Sequence, residues 1–143
     1  LYAAARRQHL VEIIQPALAA GKVVISDRYV DSSLAYQGGG RDLGVEKIWQ
    51  INQFAIDGLL PDLTIYLDVP SELGLARVTA NRKGKIDRLD KESLAFHQKV
   101  RQTYLKLQSE FSDRIKIVDA TQPLDKVVHD TRELINKVLE DKS

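Results

Sequence analysis

Apolar residues fall along this chain in two rhythms. Short unbroken runs occur at Val23-Val24-Ile25, at residues 63–69 and at residues 115–119, and each reads as a buried strand. Between them the apolar positions recur at helical spacing. Residues 45–57 place Ile48, Ile51, Ala55 and Ile56 on one face, and residues 90–111 do the same with Phe96, Val100, Tyr104, Leu107 and Phe111. Residues 1–14 read as a helix that Pro16 interrupts, with a further turn over 16–20 closed by Gly21. Residues 31–44 read as a loop or short helix. Gly58 and Pro61 stop the second long helix, Ser71 caps a helix to about Asn81, and Pro123 opens a last helix ending near Glu140.

Strands alternating with helices predict an α/β fold, a parallel sheet with right-handed crossovers. The strands over 23–26, 63–69 and 115–119 should point their C-terminal ends toward one cleft lined by Asp27 and Arg28. Three strands are few for a sheet covered by helices on both faces. The opening Leu1-Tyr2-Ala3-Ala4-Ala5 also reads as a helix interior without an N-cap, and the chain has no methionine. Both features create the expectation of further chain upstream.

Composition narrows the class. A length of 143 residues with no repeat or linker suits a single domain, and 43% hydrophobic with 29% charged residues is ordinary for a globular protein. A net charge of +1 gives no global field to draw in nucleic acid or a membrane surface. No cysteine is present, which rules out a disulfide framework and a thiolate metal site and fits a reducing cytoplasm. No run approaches membrane-spanning length, and no signal peptide is visible.

Candidate chemistry gathers in three places. Asp27-Arg28 is followed by the hydroxyl-, amide- and glycine-rich stretch from Asp31 to Arg41. The planar fork of arginine matches phosphate oxygens, whereas the plain alternative is a surface ion pair. Tyr2 and Arg6, four apart, share a helix face; spacing alone favours an aromatic core residue and a solvated arginine. Arg82, Lys83, Lys85 and Arg88 crowd a short glycine-containing segment, which suits a phosphate-closing lid as well as it suits a solvated face. His9, His97 and His129 lack metal-ligand spacing, and no G-x-x-x-x-G-K-[ST] phosphate loop occurs.

Taken together, Asp27-Arg28-Tyr29 through Ala35-Tyr36-Gln37-Gly38, Leu60-Pro61-Asp62-Leu63-Thr64-Ile65-Tyr66-Leu67-Asp68-Val69, Asp87-Arg88-Leu89-Asp90 and Asp119-Ala120-Thr121-Gln122-Pro123-Leu124 resemble the bacterial thymidylate kinases. The resemblance covers essentially the whole chain. It implies a P-loop nucleoside-monophosphate kinase fold, of which residues 1–143 would be the C-terminal part of a single kinase domain with a lid around 82–90. It implies transfer of the γ-phosphoryl of ATP to dTMP with Mg²⁺, in a cytoplasmic homodimer. Arg28 would clamp the dTMP phosphate, and Asp27 would organise the magnesium and the phosphate-loop lysine. Tyr2 would stack on thymine, Arg6 would donate to a thymine carbonyl, Ser33 and Gln37 would hydrogen-bond the base, and Tyr36 would lie near the sugar. Arg82 and Arg88 would meet the transferring phosphoryl, with Thr121 and Gln122 near the adenine. Without a phosphate loop, the 143 residues alone would be inactive. The alternatives are another deoxynucleotide or deoxynucleoside kinase, or a non-catalytic nucleotide-binding module.

Overall fold

The computed structural model describes residues 1–80 and 88–143, with residues 88–92 described through their backbone alone. The chain divides into two compact units, Leu1–Leu60 and Pro61–Ser143.

In the first unit, α1 (Tyr2–His9), a π-wound stretch (Leu10–Ile14) and α2 (Gln15–Ala19) follow one another without a break. The expected interruption at Pro16 is absent. Proline lacks an N–H and its ring would collide with the carbonyl four residues back in a regular helix. The preceding turn widens instead: the N–H of Gln15 donates to the Leu10 carbonyl, and the path continues through Pro16. Gly21, at φ +73°, then closes the helix, with its N–H on the Leu18 carbonyl and the Lys22 N–H on the Ala17 carbonyl. This paired arrangement needs a left-handed residue at Gly21.

Residues 23–26 form no strand. Among the described residues the sheet has two strands, and Val23 and Ile25 are 62% and 82% exposed. An apolar run becomes a strand only where neighbours pair with it, and this run has no ladder partner there. The expectation that a strand end delivers Asp27 and Arg28 is therefore corrected: they lie on an irregular segment leading into α3 (Val30–Ser33). Of the loop or short helix expected after it, the structure shows helix as far as Gly40. α3 runs into a second π-wound stretch (Leu34–Gly40), stitched to α4 (Val45–Ile56) by the Gly44 N–H on the Gly38 carbonyl. Leu10, Val30, Leu34, Ala35 and Ile56 form the core. On α4 the buried stripe is Ile48, Asn52, Ala55 and Ile56; Ile51 lies at its margin and is exposed.

The second unit follows expectation closely. β1 (Thr64–Asp68) and β2 (Ile115–Asp119) pair in parallel, Thr64 opposite Ile115 and Asp68 opposite Asp119. α5 (Ser71–Ala80) packs on α6 (Arg88–Glu110), while α6 and α7 (Leu124–Asp141) both pack on β2. Val100, Tyr104 and Leu107 bury the predicted face of α6, whereas Phe111, past its end, is exposed. Tyr66 stacks on Tyr104 with ring centroids 4.3 Å apart. Arg101 grips Asp68 with two hydrogen bonds of 2.8 and 3.1 Å, a pairing that helix periodicity does not reveal.

Gly38 is where the first unit tolerates no side chain. A Cβ there would sit 2.8 Å from the Val45 Cα and 3.1 Å from its nitrogen, backbone atoms that cannot step aside. Gly38→Ala should therefore lower stability by about 1–3 kcal/mol in a denaturant titration. In α5, a Cβ on Gly74 would meet only Val69 Cγ1, at 3.4 Å. Gly74→Ala should be neutral or stabilise by up to about 1 kcal/mol through helix propensity. A Gly38→Ala chain as stable as the parent would contradict the close approach.

Candidate functional site

Arg6 is the centre of the first unit's polar chemistry. α1 carries it inward, and burial of its guanidinium pushes its pKa down, a shift that the nearby Tyr29 opposes. Arginine is still protonated at any physiological pH, so its N–H groups need acceptors once water is removed. Three are present. Nη1 donates to Asn52 Oδ1 on α4, and Nη2 donates to Ser33 Oγ on α3 at 2.8 Å and to the Tyr29 carbonyl at 3.4 Å. The guanidinium carbon also lies 5.8 Å from the centre of the Tyr29 ring, whose hydroxyl donates to the Leu59 carbonyl at 3.1 Å. Burial raises the Tyr29 pKa.

Beside this cluster lies a cavity of about 280 Å³, lined by Tyr2, Ala5, Arg6 and His9 of α1 and by Ser26, Arg28 and Tyr29. Tyr2 is 67% exposed, so it is not the core aromatic that spacing favoured, and Arg6 is not a solvated arginine. Arg28 holds a left-handed backbone, φ +68°, and its guanidinium sits over the Tyr36 ring at 4.8 Å. Ser26 Oγ donates to the Arg28 carbonyl at 3.1 Å and braces that strained residue. Tyr36 and Gln37 are half-buried neighbours on the π-wound stretch. Asp27 is exposed and does not line the cavity.

The structure thus brings Tyr2, Arg6 and Arg28 to one cavity, with Ser33 behind Arg6 and Tyr36 beneath Arg28. Thr121 and Gln122 belong to the second unit. There the Thr121 N–H and hydroxyl both donate to Asp119 Oδ1, at 2.9 and 2.6 Å, and Gln122 Nε2 donates to the Asp119 carbonyl and to Asp130. Arg82 lies outside the described residues; Arg88 opens α6, its side chain outside them too. A larger hollow of about 500 Å³ along α7 gathers none of the candidate residues. Among the described residues, no three carboxylates or imidazoles cluster to hold a metal. Asp27 is an exposed carboxylate, the donor type that a hard dication such as Mg²⁺ takes when phosphate oxygens and water fill the rest of its shell.

Asn52 is the residue that sequence reasoning missed. Its signal was visible: a polar residue midway between Ile48 and Ile56, on the buried stripe of α4. A buried amide there requires partners.

Comparison with known proteins gives one family. The thymidylate kinase family model matches residues 1–131. A thymidylate kinase of Leuconostoc mesenteroides is 81% identical over 143 residues, which is all of this chain and 67% of that protein. One of Leuconostoc citreum is 81% identical over 139 residues, 97% of this chain and 65% of the relative. One of Latilactobacillus sakei is 68% identical over 128 residues, 90% and 60% respectively. The chain thus spans 60–67% of the length of these three relatives.

The Thr121 bonds have a measurable consequence at Asp119. They hold its carboxyl below the ordinary value of 3.8. A depressed folded pKa contributes stability that is fully present above the unfolded value and is lost as pH falls through the folded one. Thr121→Val removes the hydroxyl donor and should raise the Asp119 midpoint in a carboxyl-carbon NMR titration. An unchanged midpoint would contradict the assignment of the shift to Thr121.

Proposed function

The chain belongs to the thymidylate kinase family, and on that footing we propose that, in a chain of its relatives' length, it transfers the γ-phosphoryl of ATP to dTMP, giving dTDP and ADP. The family's fold is the P-loop nucleoside-monophosphate kinase fold, an α/β fold with a parallel sheet. The observation that carries the reading is the cavity in which the oriented Arg6 fork lies beside the exposed Tyr2 ring and Arg28. That set offers a stacking surface, a donor for a base carbonyl and a fork for a phosphate, which are the three recognition elements of a pyrimidine monophosphate.

In this reading Tyr2 stacks on thymine and Arg6 donates to its carbonyl oxygen, while Gln37 hydrogen-bonds the base. Ser33 acts on the base through Arg6, whose guanidinium it accepts from. Arg28 clamps the dTMP phosphate, and Tyr36, under the guanidinium, sets its angle and packs near the sugar. A phosphate oxygen of dTMP attacks the γ-phosphorus of ATP and the bond to the β-phosphate oxygen of ADP breaks, so positioning and charge stabilisation carry the rate. Arg82 and Arg88, on a lid around 82–90, meet the charge of the transferring phosphoryl. Thr121 and Gln122 serve the adenine side. Asp27 would hold Mg²⁺, which supplies charge neutralisation at the phosphates. Both units would be parts of a single kinase domain, in a cytoplasmic homodimer. No described helix is long and apolar enough to cross a membrane.

The test uses a full-length chimera, with the remaining third of the Leuconostoc mesenteroides relative joined to these 143 residues. Coupled ADP release should require both ATP and dTMP. Losing a bond from a charged donor costs about 1.5–3 kcal/mol, so Arg6→Ala should raise KM for dTMP about ten- to a hundredfold and leave KM for ATP within about twofold. Parallel rises in both constants would contradict the base-reading role. Arg88→Ala should lower kcat far more than Lys83→Ala does; equal turnover in the two would return that segment to a solvated surface.

A further inference from the structure

We infer that Asn52 is a positioning residue for pyrimidine recognition: its amide, set by the Ile48 carbonyl, fixes the angle at which Arg6 presents its remaining donors. This rests on the proposed role of Arg6 as the donor to the base.

Asn52 is 2% exposed and sits on the apolar stripe of α4 between Ile48 and Ile56. Packing alone asks for an aliphatic side chain there, since a buried amide with unmet hydrogen bonds is destabilising. Asn52 meets them in a directional way. Its Nδ2 donates to the Ile48 carbonyl at 2.9 Å, which selects one of the two amide orientations and turns Oδ1 to Arg6 Nη1. Arg6 is anchored a second time through Nη2, on Ser33 Oγ of α3. Two anchors on different nitrogens, from different helices, fix the plane of a guanidinium where one would leave it free to swing. The Nε hydrogen and one hydrogen of Nη1 are then left without a partner among the described residues.

The chemistry of the acceptors fits the same role. An amide, a hydroxyl and a backbone carbonyl are all neutral. A carboxylate in place of Asn52 would orient Arg6 equally well but neutralise its charge and weaken the hydrogen bonds it offers a base. A neutral set orients the fork and leaves its charge to the ligand.

A double-mutant cycle in the full-length chimera tests this, with dTMP and ATP dissociation constants read by calorimetry. Asn52→Leu keeps roughly the volume and removes the acceptor. It should weaken dTMP about tenfold, leave ATP unchanged, and have no more than a twofold further effect in an Arg6→Ala background. If Asn52→Leu does not fold, Asn52→Ser withdraws the acceptor while keeping a polar group, and the same cycle is read with it. An equal loss of dTMP affinity in both backgrounds would show that Asn52 acts on the fold at large and would overturn the inference. So would unchanged dTMP binding by an Asn52 variant in the parent chain where Arg6→Ala weakens it. If Arg6→Ala itself leaves dTMP binding unchanged, the base-reading role of Arg6 fails and this inference with it.

Discussion

A guanidinium partly withdrawn from water ties together the helices of the first unit. Arg6 has five N–H donors and cannot shed its charge, so every donor removed from solvent requires an acceptor at a defined place. α1 brings the group in, α4 answers with the Asn52 amide, α3 with the Ser33 hydroxyl, and Tyr29, just ahead of α3, with its carbonyl. These bonds are directional, whereas the packing of the buried Leu10, Leu34 and Ile56 is not. Apolar burial supplies most of the driving force for packing the helices, and the Arg6 bonds select one relative angle among those it would permit. The selected angle leaves Tyr2 and Arg28 on the same cavity as Arg6.

Two glycine-dependent geometries support this arrangement. Gly21 supplies the left-handed residue that ends the first helical run, and Gly38 lets the second π-wound stretch pass against the start of α4. Helical winding with five-residue spacing is uncommon and recurs at functional sites. Here one such stretch precedes Pro16 and absorbs its missing donor, and the other carries Tyr36 and Gln37. Arg28 is a non-glycine residue at positive φ, a conformation that costs free energy and persists only where the surroundings hold it. Its guanidinium over Tyr36 and its carbonyl on Ser26 are such holds.

Most of the second unit was legible in the sequence because its information is periodic. The strands at Thr64–Asp68 and Ile115–Asp119 and the helices between and after them announce themselves through apolar spacing and through Ser71, Pro123 and Pro61 as punctuation. The first unit was harder for identifiable reasons. Val23 to Ile25 has a strand's composition, but pairing is a property of neighbours and not of the run. Pro16 carries a breaker's signal that a local widening of the helix neutralises. The dense polar stretch after Asp27 reads as a loop or short helix because its glycines count as breakers, although Gly38 is there for a close helix approach. At the site, Tyr2, Arg6 and Arg28 line one cavity, whereas Asp27 does not, and the Ser33 hydroxyl accepts from Arg6. Asn52 was missed because a single asparagine in a helix is ordinarily solvated; only its position on the buried stripe marks it.

Neutral acceptors hold Arg6, and on the proposed function its remaining donors go to a pyrimidine base. Side-chain ¹⁵N NMR of the arginines in the full-length chimera reads this directly. If Arg6 is pinned at both Nη atoms, its four Nη protons are resolved in the free protein, because rotation about the guanidinium bonds is slow. Addition of dTMP then shifts its Nε–H or remaining Nη1–H, while ATP alone leaves them in place. An Arg6 guanidinium that is rotationally averaged in the free protein and unmoved by saturating dTMP would contradict the account.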